Sequence, residues 1–306
     1  MPTQVDARVL DRKAALDENE RQIGAASALL CEAVNKGSAI LGEWVESRHK
    51  PEGSKELKSS RTSEEAMAEL VAIHIFENVL ATTDAIQVLL SQACDSAAEP
   101  LLRTSFESLI ALEYIHQVES LALRRSMAWL VAWQHNRLCA EMWVDPRSWK
   151  GKSFRKGEDY PDFAQGGDEE KAAEATHAKR IRDAFDALKS GPLGDLYREF
   201  LALDPPRHWH AIDGGPATVQ DLARAVGRGS LHDFAYSRWS QLVHGMPIDL
   251  NAYGLRSGEN IGLVAYVAII LFRYAADVVG SHYLRELDVD DWWATETLPR
   301  LAQLRS

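Results

Sequence analysis

The chain has 306 residues, of which 46% are hydrophobic and 26% charged, so it can bury a sizeable core, and disorder is excluded for most of its length. With 34 Lys and Arg against 45 Asp and Glu, the net charge of −11 argues against a general nucleic-acid coat or an anionic membrane surface as partner, although a local basic site stays open. The chain has three cysteines, Cys31, Cys94 and Cys139. Their odd number and wide spacing fit neither a disulfide framework nor a zinc site and favour a cytoplasmic protein.

The first stretch, residues 1–50, is charged but repeats apolar residues at helical spacing, and it has no apolar run of the kind found in a signal peptide. We therefore predict an N-terminal helical hairpin or one long helix there. A polar break follows, and the main helical bundle is expected to span residues 62–306.

Helical periodicity continues along almost all of this second part, so we predict an all-α, multi-helix up-and-down bundle. The predicted helices cover residues 62–94, 100–119, 121–144, 168–188, 193–203, 218–226, 230–244, 259–285 and 291–304. Residues 145–167 are rich in Gly and Pro and are expected to form an irregular inserted loop. The most apolar stretch, 261–272, is shorter than the roughly twenty residues of a bilayer span, so it is predicted to be a core helix and no membrane partner is expected.

A charged pair marks the helix that is predicted to start near Pro100. Arg103 and Glu107 lie four residues apart and meet on one face of a helix that is otherwise apolar nearly all round. Such a pair is costly to bury unless its charges are satisfied. It is either a structural ion pair that fixes helix packing or the polar floor of a site between helices.

A second candidate site lies in the helix predicted over residues 230–244. Tyr236, Ser240 and His244 are four residues apart, so two hydroxyls and an imidazole share one stripe and could handle protons. The alternative is that His244, followed by Gly245, caps the C-terminus of this helix.

The inserted loop carries a basic run without an acidic residue. Its cations are Arg147, Lys150, Lys152, Arg155 and Lys156. Trp149 and Phe154 lie between them, a mixture that can contact RNA through phosphates and stacked bases, although a solvated surface run has the same composition. Isolated pairs such as His74 with Glu77, or His208 with His210, do not make up a ligand set, so neither metal nor another cofactor is expected.

Three segments together resemble the mostly bacterial domain-of-unknown-function family 5677 over about residues 65–285. They are the Arg-Ser/Thr-x-x-Glu helix at Arg103–Glu107, a Trp at Trp209 followed by DLARAVG at 221–227, and the Tyr-x3-Ser-x3-His motif at Tyr236, Ser240 and His244. The resemblance implies an all-helical fold and no established activity. We count Trp209, with Arg103 and Glu107, among the candidate binding residues.

Residues 238–244 also resemble the site of HEPN helical-bundle ribonucleases of toxin and phage-defence systems, in which an Arg and a His a few residues later meet at a dimer interface. Arg238 and His244 fit this spacing. The resemblance implies a homodimer in which His244 is the general base toward a ribose 2′-hydroxyl, Arg238 stabilises the phosphate charge, and Tyr236 or Ser240 assists without a metal.

Three functions therefore stay open. The first is a metal-independent RNase-like effector that uses His244. The second is a non-enzymatic helical binding or interaction module. The third is a small-molecule pocket whose polar residues are Arg103, Glu107, Tyr236, Ser240 and His244.

Overall fold

The computed structural model describes residues 4–49, 63–156, 167–236, 239, 258–284 and 292–303. Within these ranges the secondary structure is helical and contains no strand, which confirms the all-α prediction. The chain divides into two compact units, which we call the bundle unit (Met1–Ser120 with Val219–Ser306) and the inserted unit (Leu121–Thr218).

The bundle unit is built on four long helices: α1 (Gln4–His49), α2 (Ser63–Ser91), α3 (Asp95–His116) and α10 (Gly258–Tyr283). Each of α1, α2 and α3 packs against α10, and α2 also packs against α1 and α3. Their inward faces are aliphatic and aromatic because apolar residues recur at helical spacing. Buried examples are Leu29, Ile40, Phe76, Ile86, Phe106, Leu109, Ile269 and Phe272.

Short helices complete the bundle unit. They are α8 (Val219–Ala225), α9 (Gly229–Leu231), which runs into a π-helical turn at His232–Tyr236, and α11 (Leu298–Gln303), which follows a second π-helical turn at Trp293–Thr297. The α8 helix packs against α3. Trp292 is buried beside Phe272, which ties the C-terminal segment to the core.

One end of the bundle unit holds a chain of aromatic and polar contacts. Trp44 donates its indole N–H to Glu69 Oε1 at 2.6 Å and stacks on Tyr283 at a centroid distance of 4.5 Å. The Tyr283 hydroxyl lies 3.2 Å from His116 Nε2, and the His116 ring stacks on His282 at 4.6 Å. Burial, with the neighbouring His282, lowers the pKa of His116 to about 4, so this imidazole is neutral at pH 7.

The inserted unit comprises α4 (Glu119–Glu141, whose first residues belong to the bundle unit), α5 (Trp149–Lys156), α6 (Asp168–Ser190) and α7 (Gly194–Ala202), with 3₁₀ turns at Met142–Val144 and Trp209–Gly214. Arg124 of α4 contacts both α7 and the second 3₁₀ turn. Its Nη2 lies 2.6 Å from Glu199 Oε2, and its Nε lies 2.5 Å from Asp213 Oδ2. Tyr197 and Phe200 of α7 are buried, and the Tyr197 hydroxyl lies 3.0 Å from His135 Nδ1.

Two helix assignments differ from the sequence prediction. The helix expected near Pro100 begins at Asp95, because the carbonyl of Cys94 accepts hydrogen bonds from the amides of Ala97 and Ala98. Pro100 lies inside this helix, where it lacks the N–H for one backbone hydrogen bond. The expected loop 145–167 contains α5, whose N-terminus is capped by Ser148 Oγ, 2.8 Å from the amide nitrogen of Gly151. Residues 157–166 of that loop lie outside the described residues.

The predicted domain division concerns residues 1–50 and 62–306. Residues 4–49 form one long helix, which packs on α2 and α10 within the bundle unit. The separation of the chain into these two segments stays a prediction.

Two helical stretches in the described residues, Glu64–Ser91 and Ile261–Tyr283, are long and apolar enough to cross a membrane, with mean hydropathies of 1.2 and 1.8. Core helices of soluble proteins meet the same criterion, and 56% and 61% of these two windows are buried inside the protein.

Candidate functional site

The two polar motifs of the sequence meet in the bundle unit. Arg103 Nε donates to Glu107 Oε1 at 2.8 Å, and the Tyr236 hydroxyl donates to the same oxygen at 2.7 Å. The Arg103 guanidinium carbon lies 4.9 Å from the centroid of the Tyr236 ring. We call these three residues the polar trio. The side chains of Arg103 and Glu107 remain 25% and 40% exposed, so solvent reaches the trio.

An aromatic layer holds Tyr236 in place. The buried ring of Phe106 lies between 6.1 and 6.4 Å from the rings of Tyr236, Trp239 and His232. His232 and Tyr236 stack at 4.6 Å with their planes 19° apart. They stand at the two ends of a π-helical turn, which is wider than an α-helical turn. Such turns are frequent at functional sites.

The electrostatics assign Tyr236 the role of a hydrogen-bond donor. Burial raises the pKa of Tyr236 to about 12, and its hydrogen bond to Glu107 and the charge of that carboxylate act in the same direction. Tyr236 is therefore a neutral phenol at pH 7 and cannot act as a base. The charges of Arg103 and Glu107 offset each other, so the trio can orient a ligand or a neighbouring side chain without a net charge of its own.

Several candidate residues fall outside the described residues. Arg238, Ser240 and His244 are among them, so Tyr236 alone represents the hydroxyl–hydroxyl–imidazole stripe in the structure. Trp239, between Arg238 and Ser240, is buried against Phe106. The proposed roles of Arg238, Ser240 and His244 stay predictions.

Trp209, the remaining binding candidate, belongs to the inserted unit. It begins the 3₁₀ turn Trp209–Gly214 and its ring meets that of His210 edge-on at 5.6 Å. His210 Nδ1 lies 2.6 Å from the carbonyl oxygen of Pro216. In the described part of the chain, no three His, Cys, Asp or Glu side chains converge as they would around a metal ion.

The basic run divides into residues with different roles. Lys150 Nζ donates to the carbonyl of Cys139 at 2.7 Å and thereby provides a hydrogen bond to a carbonyl in the last turn of α4. The backbone N–H of Arg147 donates to Asp145 Oδ1 at 3.0 Å, and both Arg147 and Lys152 are exposed. Trp149 is 71% exposed. The side chains of Arg155 and Lys156 lie outside the described residues, although their backbone belongs to α5.

A further, half-buried cluster was missed by the sequence analysis. Arg228 contacts Glu113 through Nη2 at 2.7 Å and Nε at 3.1 Å, and its guanidinium carbon lies 3.6 Å above the Tyr274 ring. Burial raises the pKa of Glu113, while Arg228 opposes this shift. The DLARAVG segment explains the geometry, because Gly227 has a φ of 76° and ends α8, so that Arg228 follows directly after the turn.

Comparison with known proteins places the chain in a family. A family model described as a family of unknown function (DUF5677) matches residues 69–261, which include the polar trio, Trp209, the DLARAVG segment and the Tyr-x3-Ser-x3-His motif. No curated protein and no solved structure matches the chain. The match covers more than half of the chain, and the protein therefore belongs to the family of unknown function DUF5677.

Proposed function

We propose that the protein is a metal-independent, RNase-like effector of the toxin or phage-defence type, whose active site is completed by Ser240 and His244 beside the polar trio. The observation that carries this proposal is the hydrogen bond from Tyr236 to Glu107, since it fixes the first residue of the Tyr-x3-Ser-x3-His motif on the Arg103–Glu107 pair. Tyr236 is thus a positioning residue, and His244 is the proposed catalytic base.

The contacts of Tyr236 and Trp239 indicate which side of this segment faces α3. Both rings lie against Phe106, so this side of the segment faces α3. We infer a homodimer in which Arg238 of one copy serves His244 of the other. The Arg-then-His spacing of this segment resembles that of HEPN ribonucleases, and a regular helix with about 100° per residue would separate the two residues by about 120° within one chain.

The proposed chemistry needs only these groups. His244 takes the proton of a ribose 2′-hydroxyl, and the resulting oxygen attacks the adjacent phosphorus. The bond to the 5′-oxygen breaks, that oxygen takes a proton from solvent, and a 2′,3′-cyclic phosphate remains. Arg238 stabilises the added negative charge on the phosphoryl oxygens.

Two further observations support an RNA substrate in the cytoplasm. On the inserted unit, Trp149 offers an exposed ring for base stacking, with the exposed cations Arg147 and Lys152 beside it in the sequence. All three cysteines are free, as expected in a reducing compartment.

The exposure of the polar trio favours a second candidate function. Arg103 and Glu107 are preorganised and partly open to solvent, which suits a pocket for a small polar molecule that also uses Tyr236, Ser240 and His244. This candidate predicts that Glu107→Gln weakens the binding of a copurifying ligand. An unchanged affinity would eliminate it.

The decisive experiment measures cleavage of a labelled single-stranded oligoribonucleotide. We expect His244→Ala to abolish cleavage without changing the melting temperature, and His74→Ala, which alters an exposed histidine of α2, to leave cleavage unchanged. Because the proposed site is shared, mixing the inactive Arg238→Ala and His244→Ala chains is expected to restore part of the activity. Cleavage by the His244→Ala variant at the wild-type rate would reject the enzyme and leave the interaction module as the function.

A further inference from the structure

A groove with a volume of about 450 Å³ runs between α4 and α6 in the inserted unit. The groove is lined by residues of both helices. Its α4 wall consists of Trp133, Gln134, Arg137, Leu138 and Glu141, and its α6 wall consists of Ala184, Ala187 and Leu188. The segment 191–193, which follows α6, closes one end. This volume lies within the range of small-molecule pockets.

The two walls differ in size and shape. On α4, the rings of Trp129 and Trp133 are nearly parallel, with an interplanar angle of 11° and a centroid distance of 6.2 Å. On α6, the lining residues include the small Ala184 and Ala187. Of the two tryptophan rings, that of Trp133 lines the groove, and it offers an apolar surface on which a planar aromatic body can stack.

Arg137 provides the polar end of the groove. Its guanidinium lies 5.6 Å from the Trp133 ring centroid, and its side chain is 62% exposed. Arg137 contacts Glu141 Oε1 through Nε at 3.4 Å, and the other oxygen of Glu141 lies 3.3 Å from His177 Nε2. Within the described part of the chain, the two terminal nitrogens of Arg137 take no part in this contact, so they can donate to an anion.

We propose that this groove binds a small planar aromatic anion, with its ring on Trp133 and its carboxylate or sulfonate on Arg137. The charge of Glu141 is already matched by Arg137, so it does not exclude an anionic ligand. The site lies in the inserted unit, apart from the residues of the proposed RNase site, and it does not depend on that proposal.

Two fluorescent probes test the two parts of the proposal separately. Anilinonaphthalene sulfonate carries an aromatic body and an anion, and phenylnaphthylamine carries a similar body without the charge. We expect the full-length protein to bind each probe at one saturable site. Arg137→Met is expected to weaken binding of the sulfonate about three- to fivefold, the value of an exposed ion pair, and to leave binding of the neutral probe unchanged.

A steric variant tests the location of the site. Ala187 is exposed on α6, so leucine is tolerated there, and Ala187→Leu is expected to abolish saturable binding of both probes. Arg180→Met alters an exposed arginine of α6 outside the groove and is the matched control, with wild-type binding expected. Circular dichroism confirms that each variant is folded, and Ala184→Leu replaces Ala187→Leu if the latter unfolds.

Two results would overturn the proposal. One is an equal affinity of wild type and Arg137→Met for the sulfonate together with unchanged binding by the steric variant. The other is probe binding that falls as the protein concentration rises, together with a dimer in sedimentation experiments that Ala187→Leu dissociates. Those two observations would show that a second copy of the chain occupies the groove.

Discussion

His116 makes the stability of the bundle unit depend on pH. Its pKa is about 4 in the folded protein, because of burial and the neighbouring His282, against about 6.5 in an unfolded chain. The unfolded chain therefore binds a proton first as the pH falls, so stability that is present above pH 6.5 is lost between pH 6.5 and 4. A shift of this size contributes about 3 kcal/mol across that window.

The prediction is measured by urea unfolding at several values of pH. The free energy of unfolding is expected to fall less steeply from pH 6.5 to 4 in His116→Gln than in the wild-type protein. His74→Gln changes a half-exposed histidine of α2 and should retain the wild-type slope. Identical slopes for His116→Gln and wild type would contradict the assignment.

At the residue scale, spacing predicted local contacts and missed distant ones. Arg103 and Glu107 were expected to meet because four residues make about one helical turn, and they do so at 2.8 Å. The contact of Tyr236 with Glu107 joins residues 129 positions apart, and that of Arg228 with Glu113 joins residues 115 apart. Helical periodicity carries no information about such pairs, because they depend on how the helices pack.

At the scale of a helix, α1 depends on a close approach at Gly37. A Cβ atom on Gly37 would lie 2.6 Å from Leu80 Cδ1 and 2.7 Å from Phe272 Cε2, so α1 packs there directly against α2 and α10. We expect Gly37→Ala to lower the free energy of unfolding by about 1–3 kcal/mol, because the core must shift to admit the methyl group.

The same helix supplies matched controls for this prediction. Gly24 and Gly42 are exposed, and a Cβ atom on either would meet nothing within 4 Å. Alanine at these positions is expected to raise the free energy of unfolding by about 0.5–1 kcal/mol, since it restricts the unfolded chain and favours the helix. If Gly37→Ala stabilised the protein as the controls do, the close packing of the three helices would be disproved.

Most helices were predictable because long periodic segments carry a strong signal. A helical hairpin or one long helix was predicted in residues 1–50, and α1 (Gln4–His49) is one long helix. The predicted helix 168–188 agrees closely with the observed α6 (Asp168–Ser190). The short helix α5 was missed, since its single turn-forming cap at Ser148 lies among glycines and prolines that are typical of loops. The π-helical turn at His232–Tyr236 has no sequence signature of its own.

At the scale of the whole molecule, each compact unit has its own buried side chains, and we expect the two to respond separately to mutation. Trp44→Phe removes the donor to the buried Glu69 and is expected to speed amide exchange in α1, α2, α3 and α10. Tyr197→Phe removes the contact with His135 and should speed exchange in α6 and α7 instead. Hydrogen exchange measured by mass spectrometry distinguishes the units, and equal acceleration everywhere in both variants would show one cooperative domain.

The discontinuity of the bundle unit has a consequence for biosynthesis. The ribosome delivers Glu113 on α3 before the entire inserted unit, and the arginine that neutralises it emerges only 115 residues later. Until α10 is synthesised, the apolar faces with which α1, α2 and α3 pack against it stay uncovered. All residues of the inserted unit have been synthesised by then. We expect nascent chains at this stage to bind chaperones, and a translation product that stops before α10 to be degraded faster than the 306-residue chain.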